Sequence, residues 1–267
     1  MLVIAIESVC FDAFPILALS LDEDSYVVVT SHDDVDRQRY PLVMVFHEGR
    51  LSLSVFDVKQ PLFVSVDFVS GRSLYRNKNK TVKNELLAKA VGLKASLEAP
   101  LKVVDATAGF GRDSFLLASF GCEVLMLERS PLMVALLTDG MKRAEAASEA
   151  VRIINRMRLT HGDAVNYFSS LGSLVDDEGF MAFRPDVIYL DPMFPGSNKN
   201  AQVKKEMRVL RLALGEDNDG EEMIDKARSS GVKRVVVKRP RKGKLLGGIK
   251  PSYQVLGKSA RFDVYFP

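Results

Sequence analysis

From residue 101 to the C-terminus, short apolar runs alternate with amphipathic stretches, and this alternation leaves few folds open. LKVVDA reads as a strand, Asp113 to Phe120 as a helix, CEVLMLE as a strand and Pro131 to Ala147 as a long helix. RMRLTHGD is a third strand, Ala164 to Leu171 a short helix and DVIYLD a fourth strand. Helices are expected over Lys204 to Leu214 and Glu221 to Ser230, then a fifth strand in VKRVVVK, and YQVLGKSARFDVYF closes the chain as an antiparallel hairpin. Strands alternating with helices predict an α/β fold: a Rossmann-like, mostly parallel sheet covered on both faces.

Upstream the grammar differs. YVVVT, PLVMVF, LSLSVF and LFVSVDF are short β-rich runs, and they predict a small antiparallel module over residues 1–71. The basic stretch RNKNKTVKN leads into an amphipathic helix from about Thr81 to Val91, with Gly92 as its stop signal, so the second domain is expected to cover 72–267. The opening run MLVIAIESVCFDAFPILALSL is apolar, but Glu7, Asp12 and Pro15 interrupt it and no basic residue precedes it. A buried segment of a cytoplasmic protein is expected rather than a signal peptide or membrane anchor.

Charge is segregated along the chain. Residues 1–71 hold 4 Lys/Arg against 11 Asp/Glu, whereas residues 231–267 hold 10 Lys/Arg against the single acid Asp263. A basic C-terminal portion suits a polyanion such as nucleic acid, although surface lysines that confer only solubility would look the same. Cys10 and Cys122 are too few for a disulfide framework and no Cys/His cluster has metal-ligand spacing, so no metal is expected.

Four constellations fall at the ends of expected strands. In DATAGFGRDS the first strand ends at Asp105, and Gly109 and Gly111 let the backbone turn closely before a helix opens near Asp113. Such a loop is by itself a weak dinucleotide fingerprint or a plain strand-to-helix turn. Glu128 ends the second strand, 23 residues beyond Asp105, where an acid meets the ribose hydroxyls of a nucleoside. His161-Gly162-Asp163-Ala164 follows the third strand; Asp163 can accept from an exocyclic amine, cap the next helix, or both.

The fourth constellation is YLDPMFP. Asp191 offers a carboxylate, Pro192 a carbonyl without an N–H, and Phe194 a flat face, which are the parts needed to hold a base with an exocyclic amine. Amine lone pairs on guanine or adenine are delocalised into the ring, and acceptors that favour a pyramidal nitrogen free them to attack an electrophilic methyl. Positioning and electrostatics then do most of the catalysis. Two basic clusters, Lys199, Lys204, Lys205, Arg208 and Arg211 after this loop and KRPRKGK (238–244) after the fifth strand, are expected on the same sheet edge to contact phosphate.

DATAGFGRD, GCEVLMLERSP, VIYLDPMFP, KKEMRVL, VVVKRP and RFDVYF together resemble the RsmJ family of bacterial ribosomal RNA methyltransferases over roughly residues 60–267. That resemblance implies a class I S-adenosylmethionine-dependent methyltransferase domain that methylates N2 of a guanine near the 3′ end of 16S rRNA, with 16S rRNA or the small ribosomal subunit as partner. It places cofactor contacts on Arg112 and Asp113, Glu128 and Arg129, Asp163 and Ala164, and Asp191, to which the residues themselves add Asp105 and Gly109. Asp191, Pro192 and Phe194 are the expected catalytic residues, and a monomer is expected. Amino methylation of another nucleic acid or an amide, and RNA binding without catalysis, are the alternatives; a nicotinamide dehydrogenase is disfavoured by the incomplete glycine pattern.

Overall fold

The computed structural model of the protein describes residues 3–36, 38–55, 61–70, 81–94, 98–171, 183–192, 209 and 219–267. Two compact units partition the chain: Met1–Asp67 with Ser130–Arg143 and Asn198–Glu216, and Phe68–Arg129 with Ala144–Ser197 and Asp217–Pro267.

The first unit opens with β1 (Ile4–Glu7), α1 (Ser8–Ala13) and α2 (Ile16–Ser20), followed by β2 (Tyr26–Val29), β3 (Leu42–His47), β4 (Arg50–Val55) and β5 (Leu62–Val64). Its sheet has the order β2-β1-β3-β4-β5. The expected antiparallel module is therefore a mixed sheet: β1 runs parallel to both β2 and β3, and only β3–β4 and β4–β5 are antiparallel. The cause lies in the opening apolar run, which folds as one strand and two short helices. The helices supply the crossover that a parallel β1–β2 pair requires. Ile4, Ala5, Ile6, Cys10, Phe14 and Leu17 are all buried.

The second unit contains α3 (Leu86–Val91), β6 (Lys102–Asp105), α4 (Arg112–Ser119) and β7 (Glu123–Glu128). The long helix α5 (Pro131–Glu145) follows, most of it assigned to the first unit, where the Leu51 N–H donates to Asp139 Oδ2 at 3.2 Å. The chain returns through α6 (Val151–Ile154), β8 (Met157–His161), α7 (Ala164–Ser170), β9 (Val187–Leu190), α8 (Gly220–Ser229), β10 (Arg234–Pro240), β11 (Tyr253–Leu256) and β12 (Ala260–Tyr265).

Its sheet runs β11-β12-β10-β9-β6-β7-β8, with β10, β9, β6, β7 and β8 mutually parallel and the β11–β12 hairpin antiparallel at one edge. This is the expected α/β architecture. The order places the topological switch between β6 and β9, because the chain leaves β6 toward β7 and β8 and comes back to β9 on the other side. Ligands in such sheets bind beyond the carboxyl ends of the strands at that switch.

Strand alternation sorts the two faces. Val104, Ile188, Leu190, Val235 and Val237 pack with Phe168 of α7 and with Ile224 and Ala227 of α8 in one core. Each buried Val, Leu, Ile or Phe among them contributes about 1.5–3 kcal/mol. The opposite face carries Asp105, Tyr189 and Lys238, which reach α4, and Arg234, whose guanidinium donates to Ala90 O in α3.

Two elements depart from the sequence expectation. α3 begins at Leu86 rather than Thr81, because Glu85 is extended and its carboxylate accepts the Leu87 N–H, capping the helix there. β10 extends to Pro240, two residues beyond the expected end at Lys238, so Arg239 lies in the strand instead of in a loop beyond it. The helix expected over 204–214 lies outside the described residues.

Candidate active site

The site is built where β6 and β9 end. Asp105 is 1% exposed; its Oδ1 accepts the Thr107 N–H at 3.2 Å and its Oδ2 accepts the Ser114 hydroxyl at 2.5 Å. Burial pushes its carboxyl up to about 7, the Ser114 hydrogen bond opposing that rise and the nearby charges of Asp113 and Asp191 adding to it. Asp105 thus sits beneath the loop and shapes it from inside. Gly109 and Gly111 both have positive φ, +53° and +67°. Gly111 occupies the N-cap of α4 and makes no side-chain cap hydrogen bond, which leaves the cap position itself without a side-chain oxygen. Among the described residues, a Cβ at Gly109 would meet only Thr107 O, at 3.9 Å.

Glu128 ends β7, is buried, and accepts the Gly109 N–H through Oε2 at 3.1 Å. The loop and the acid singled out separately in the sequence are therefore joined directly. Next to it, the Glu128 carbonyl accepts the Gly162 N–H at 3.0 Å and His161 Nε2 lies 3.1 Å from Arg129 O. Asp163 caps α7: its Oδ1 accepts from Val165 N at 2.9 Å and Asn166 N at 3.1 Å. Both readings of Asp163 remain compatible, since the cap uses one oxygen. Ala164 is buried as the first residue of α7.

The two arginines are occupied differently. The Arg112 guanidinium lies 5.2 Å from the Phe110 ring centroid, and Arg129 Nη1 pairs with Asp219 Oδ2 at 2.7 Å.

Asp191 stands on the same edge. Its backbone N–H donates to Thr107 Oγ1 at 2.6 Å, which ties the start of the DPMFP segment to the glycine loop. Lys238 Nζ reaches both Asp191 Oδ2, at 2.8 Å, and Asp113 Oδ2, at 2.6 Å. The Tyr189 hydroxyl donates to the same Asp113 oxygen at 2.5 Å. Burial, then the charges of Asp113, Asp191 and Asp105, hold the Tyr189 phenol well above its ordinary range, so it acts as a donor. For Lys238, burial works against the charge, but the two carboxylates override it and raise the ammonium above its usual range. Pro192 is buried. Phe194 and the cluster Lys199, Lys204, Lys205, Arg208 and Arg211 lie outside the described residues.

The expected phosphate-contacting cluster at 238–244 splits in two. Lys238 turns to the acids of the crevice, and Arg239 is 5% exposed with its Nε donating to Lys244 O. Arg241, Lys242 and Lys244 are exposed. Beneath them the buried Arg261 pairs with Asp263 and donates through Nη1 to the carbonyls of Pro240, Arg241 and Gly243. Sequence reasoning missed Thr107, Tyr189 and the inward role of Lys238, and took in Ser114 only as the last position of the glycine-loop pattern. For Thr107 and Tyr189 the available signal was polarity: each is a hydrogen-bonding side chain within two residues of the end of a buried strand. Among the described residues no group of three or more His, Cys, Asp or Glu is placed to hold a metal ion.

Residues 29–267 match the SAM_MT family model, that of the SAM-dependent methyltransferases. The chain belongs to this family. The match begins well upstream of the residue near 60 where the motif resemblance starts. A curated relative, ribosomal RNA small subunit methyltransferase J of Thioalkalivibrio sulfidiphilus, is 49% identical over 84% of this chain and 84% of its own. The protein of the same name from Stutzerimonas stutzeri is 43% identical over 82% and 80%. The crystal structure of the SAM-dependent methyltransferase NGO1261 from Neisseria gonorrhoeae superposes with a TM-score of 0.69 at 35% identity, covering 99% of this chain and 96% of that one. The fold is accordingly that of a class I methyltransferase, and its cofactor is S-adenosylmethionine.

The residues present suit that cofactor. The positive end of α4 behind the Gly109–Gly111 turn suits a carboxylate group, the Glu128 carboxylate suits paired ribose hydroxyls, and the second oxygen of Asp163 suits an exocyclic amine.

Proposed function

We propose that this enzyme methylates the exocyclic N2 of a guanine near the 3′ end of 16S rRNA, acting as a monomer in the cytoplasm on the rRNA or the small ribosomal subunit. The names of the curated relatives support the RNA class. In this reading residues 1–71 form an N-terminal β-rich module and residues 72–267 the methyltransferase domain. Asp105, Gly109, Arg112, Asp113, Glu128, Arg129, Asp163, Ala164 and Asp191 hold or shape the cofactor pocket. Asp191, Pro192 and Phe194 present the guanine.

Bound S-adenosylmethionine supplies an electrophilic methyl on a sulfonium centre. The chain's task is to place the amine and localise its lone pair. The Asp191 carboxylate and the Pro192 carbonyl accept the two amine hydrogens, and the Phe194 ring stacks on the base. No strong base is required, because the proton leaves readily once nitrogen is alkylated. The observation that supports the reading is the bond from the Asp191 N–H to Thr107 Oγ1, which holds the Asp191 backbone beside the Gly109–Asp113 loop.

Nucleoside mass spectrometry on 16S rRNA from cells with and without the gene tests the proposal. N2-methylguanosine should vanish with the gene and return on complementation. An unchanged nucleoside profile, together with no transfer from labelled cofactor to unmodified small subunits, would overturn it. Asp191→Ala should abolish transfer while sparing most of the RNA affinity; a protein that only binds RNA would show no turnover in either form.

A further inference from the structure

Four acids, Asp105, Asp113, Glu128 and Asp191, converge on the crevice. Two of them, Asp113 on α4 and Asp191 beyond β9, are 78 residues apart in sequence and share one lysine on a third element, β10. Val237 pairs with Leu190 in the parallel ladder, so Lys238 comes next to Asp191 and on the same face of the sheet. The lysine side chain is 24% exposed, with its ammonium 2.6 and 2.8 Å from the two carboxylates. An ammonium in that position cannot serve as the outward phosphate contact that its place in KRPRKGK suggests.

We propose that Lys238 is a positioning residue for methyl transfer: it clamps Asp191 and Asp113 at a fixed separation, so that Asp191 keeps the orientation in which it accepts the substrate amine. Without it two like charges face each other across the crevice, and Asp191 rotates away from the amine or away from its neighbour. Tyr189 completes the clamp, since its hydroxyl fixes the Asp113 oxygen that Lys238 also holds. The arrangement bears on turnover more than on substrate affinity, because misplacing the acceptor by about 1 Å costs on the order of 100-fold in rate. This inference rests on Asp191 being the amine acceptor.

The test compares wild type, Lys238→Met and Lys238→Arg in steady-state methylation of unmodified small subunits. RNA affinity is measured separately at several salt concentrations. For Lys238→Met, kcat should fall about 100-fold while KM for the subunit and the salt dependence of RNA binding change less than about threefold. Lys238→Arg, which keeps a cation able to span both acids, should recover at least a tenth of wild-type kcat. A Lys238→Met protein that turns over within threefold of wild type overturns the inference, as does one that loses only RNA affinity and salt dependence.

Should Lys238→Met not fold, the wild-type protein decides. In 15N-lysine spectra one side-chain ammonium should be protected from solvent exchange and should lose that protection in Asp113→Asn; no protected ammonium overturns the clamp. Failure of the functional reading looks different, since the wild-type enzyme itself would then leave the RNA unmethylated.

Discussion

Asp105 shows how one residue ties the chemistry of the pocket to the stability of the fold. Its carboxyl is buried among other acids and pushed up to about 7, with Ser114 and the Thr107 N–H only partly offsetting the burial. The sign of its effect follows from proton linkage. Between about 4, where the unfolded chain releases the proton, and about 7, the folded protein holds a proton that the unfolded chain does not. This group therefore contributes a loss of stability as pH rises across that window, and the loss is complete above about 7. Urea midpoints measured from pH 4 to 8 should show the decline in wild type and a flatter profile for Asp105→Asn, whose amide carries no charge at any of these values. Ser114→Ala should carry the decline on to higher pH, since it removes the hydroxyl that supports the ionised form.

At the scale of elements, Gly92 sets the end of α3. It is left-handed, with φ +79°, and its N–H closes onto Ala88 O and Lys89 O. A Cβ there would also lie 1.8 Å from Arg234 Nη1. Gly92→Ala should therefore cost about 1–2 kcal/mol for the left-handed backbone. It should also displace Arg234 from Ala90 O and from the face of Phe266, contacts of 3.2 and 5.2 Å. A fall of several degrees in Tm with unchanged cofactor affinity is the expected result, measured by thermal unfolding with and without S-adenosylhomocysteine.

The same scale explains what could be read in advance. β6, β7, β9 and β10 each begin or end within two residues of expectation, because strands buried on both faces stand out as unbroken apolar runs between helical patterns. The pairing of β1 was not legible: nothing in a 21-residue apolar run says which residues extend, and a parallel partner is chosen by contacts remote in sequence. In the site, the acids at strand ends were legible because a carboxylate stopping a buried strand is conspicuous. The Lys238–Asp191 contact spans 47 residues and depends on the register of β9 against β10, so no local pattern announces it.

For the whole molecule, the charge segregation seen in the sequence acquires a structural basis at the C-terminal end. Ten Lys/Arg against one acid in 231–267 would suggest one uniform basic surface, yet Lys238, Arg239 and Arg261 turn inward. Arg261 holds three carbonyls of the segment from Pro240 to Gly243, so the backbone carrying Lys242 and Lys244 is ordered before any polyanion arrives. A preordered pair of cations loses less entropy on gripping phosphate than two lysines on a floppy loop would. Lys242→Ala/Lys244→Ala should accordingly weaken binding of a 16S rRNA 3′-domain fragment and flatten its dependence on salt, by about 0.7 in log–log slope for each phosphate that is no longer neutralised. Cofactor affinity should be intact, because neither lysine belongs to the set that holds the cofactor. Filter binding across a range of potassium chloride concentrations reads the RNA affinity and its slope, and an unchanged slope in the double variant would assign the RNA-binding surface to another face of the protein.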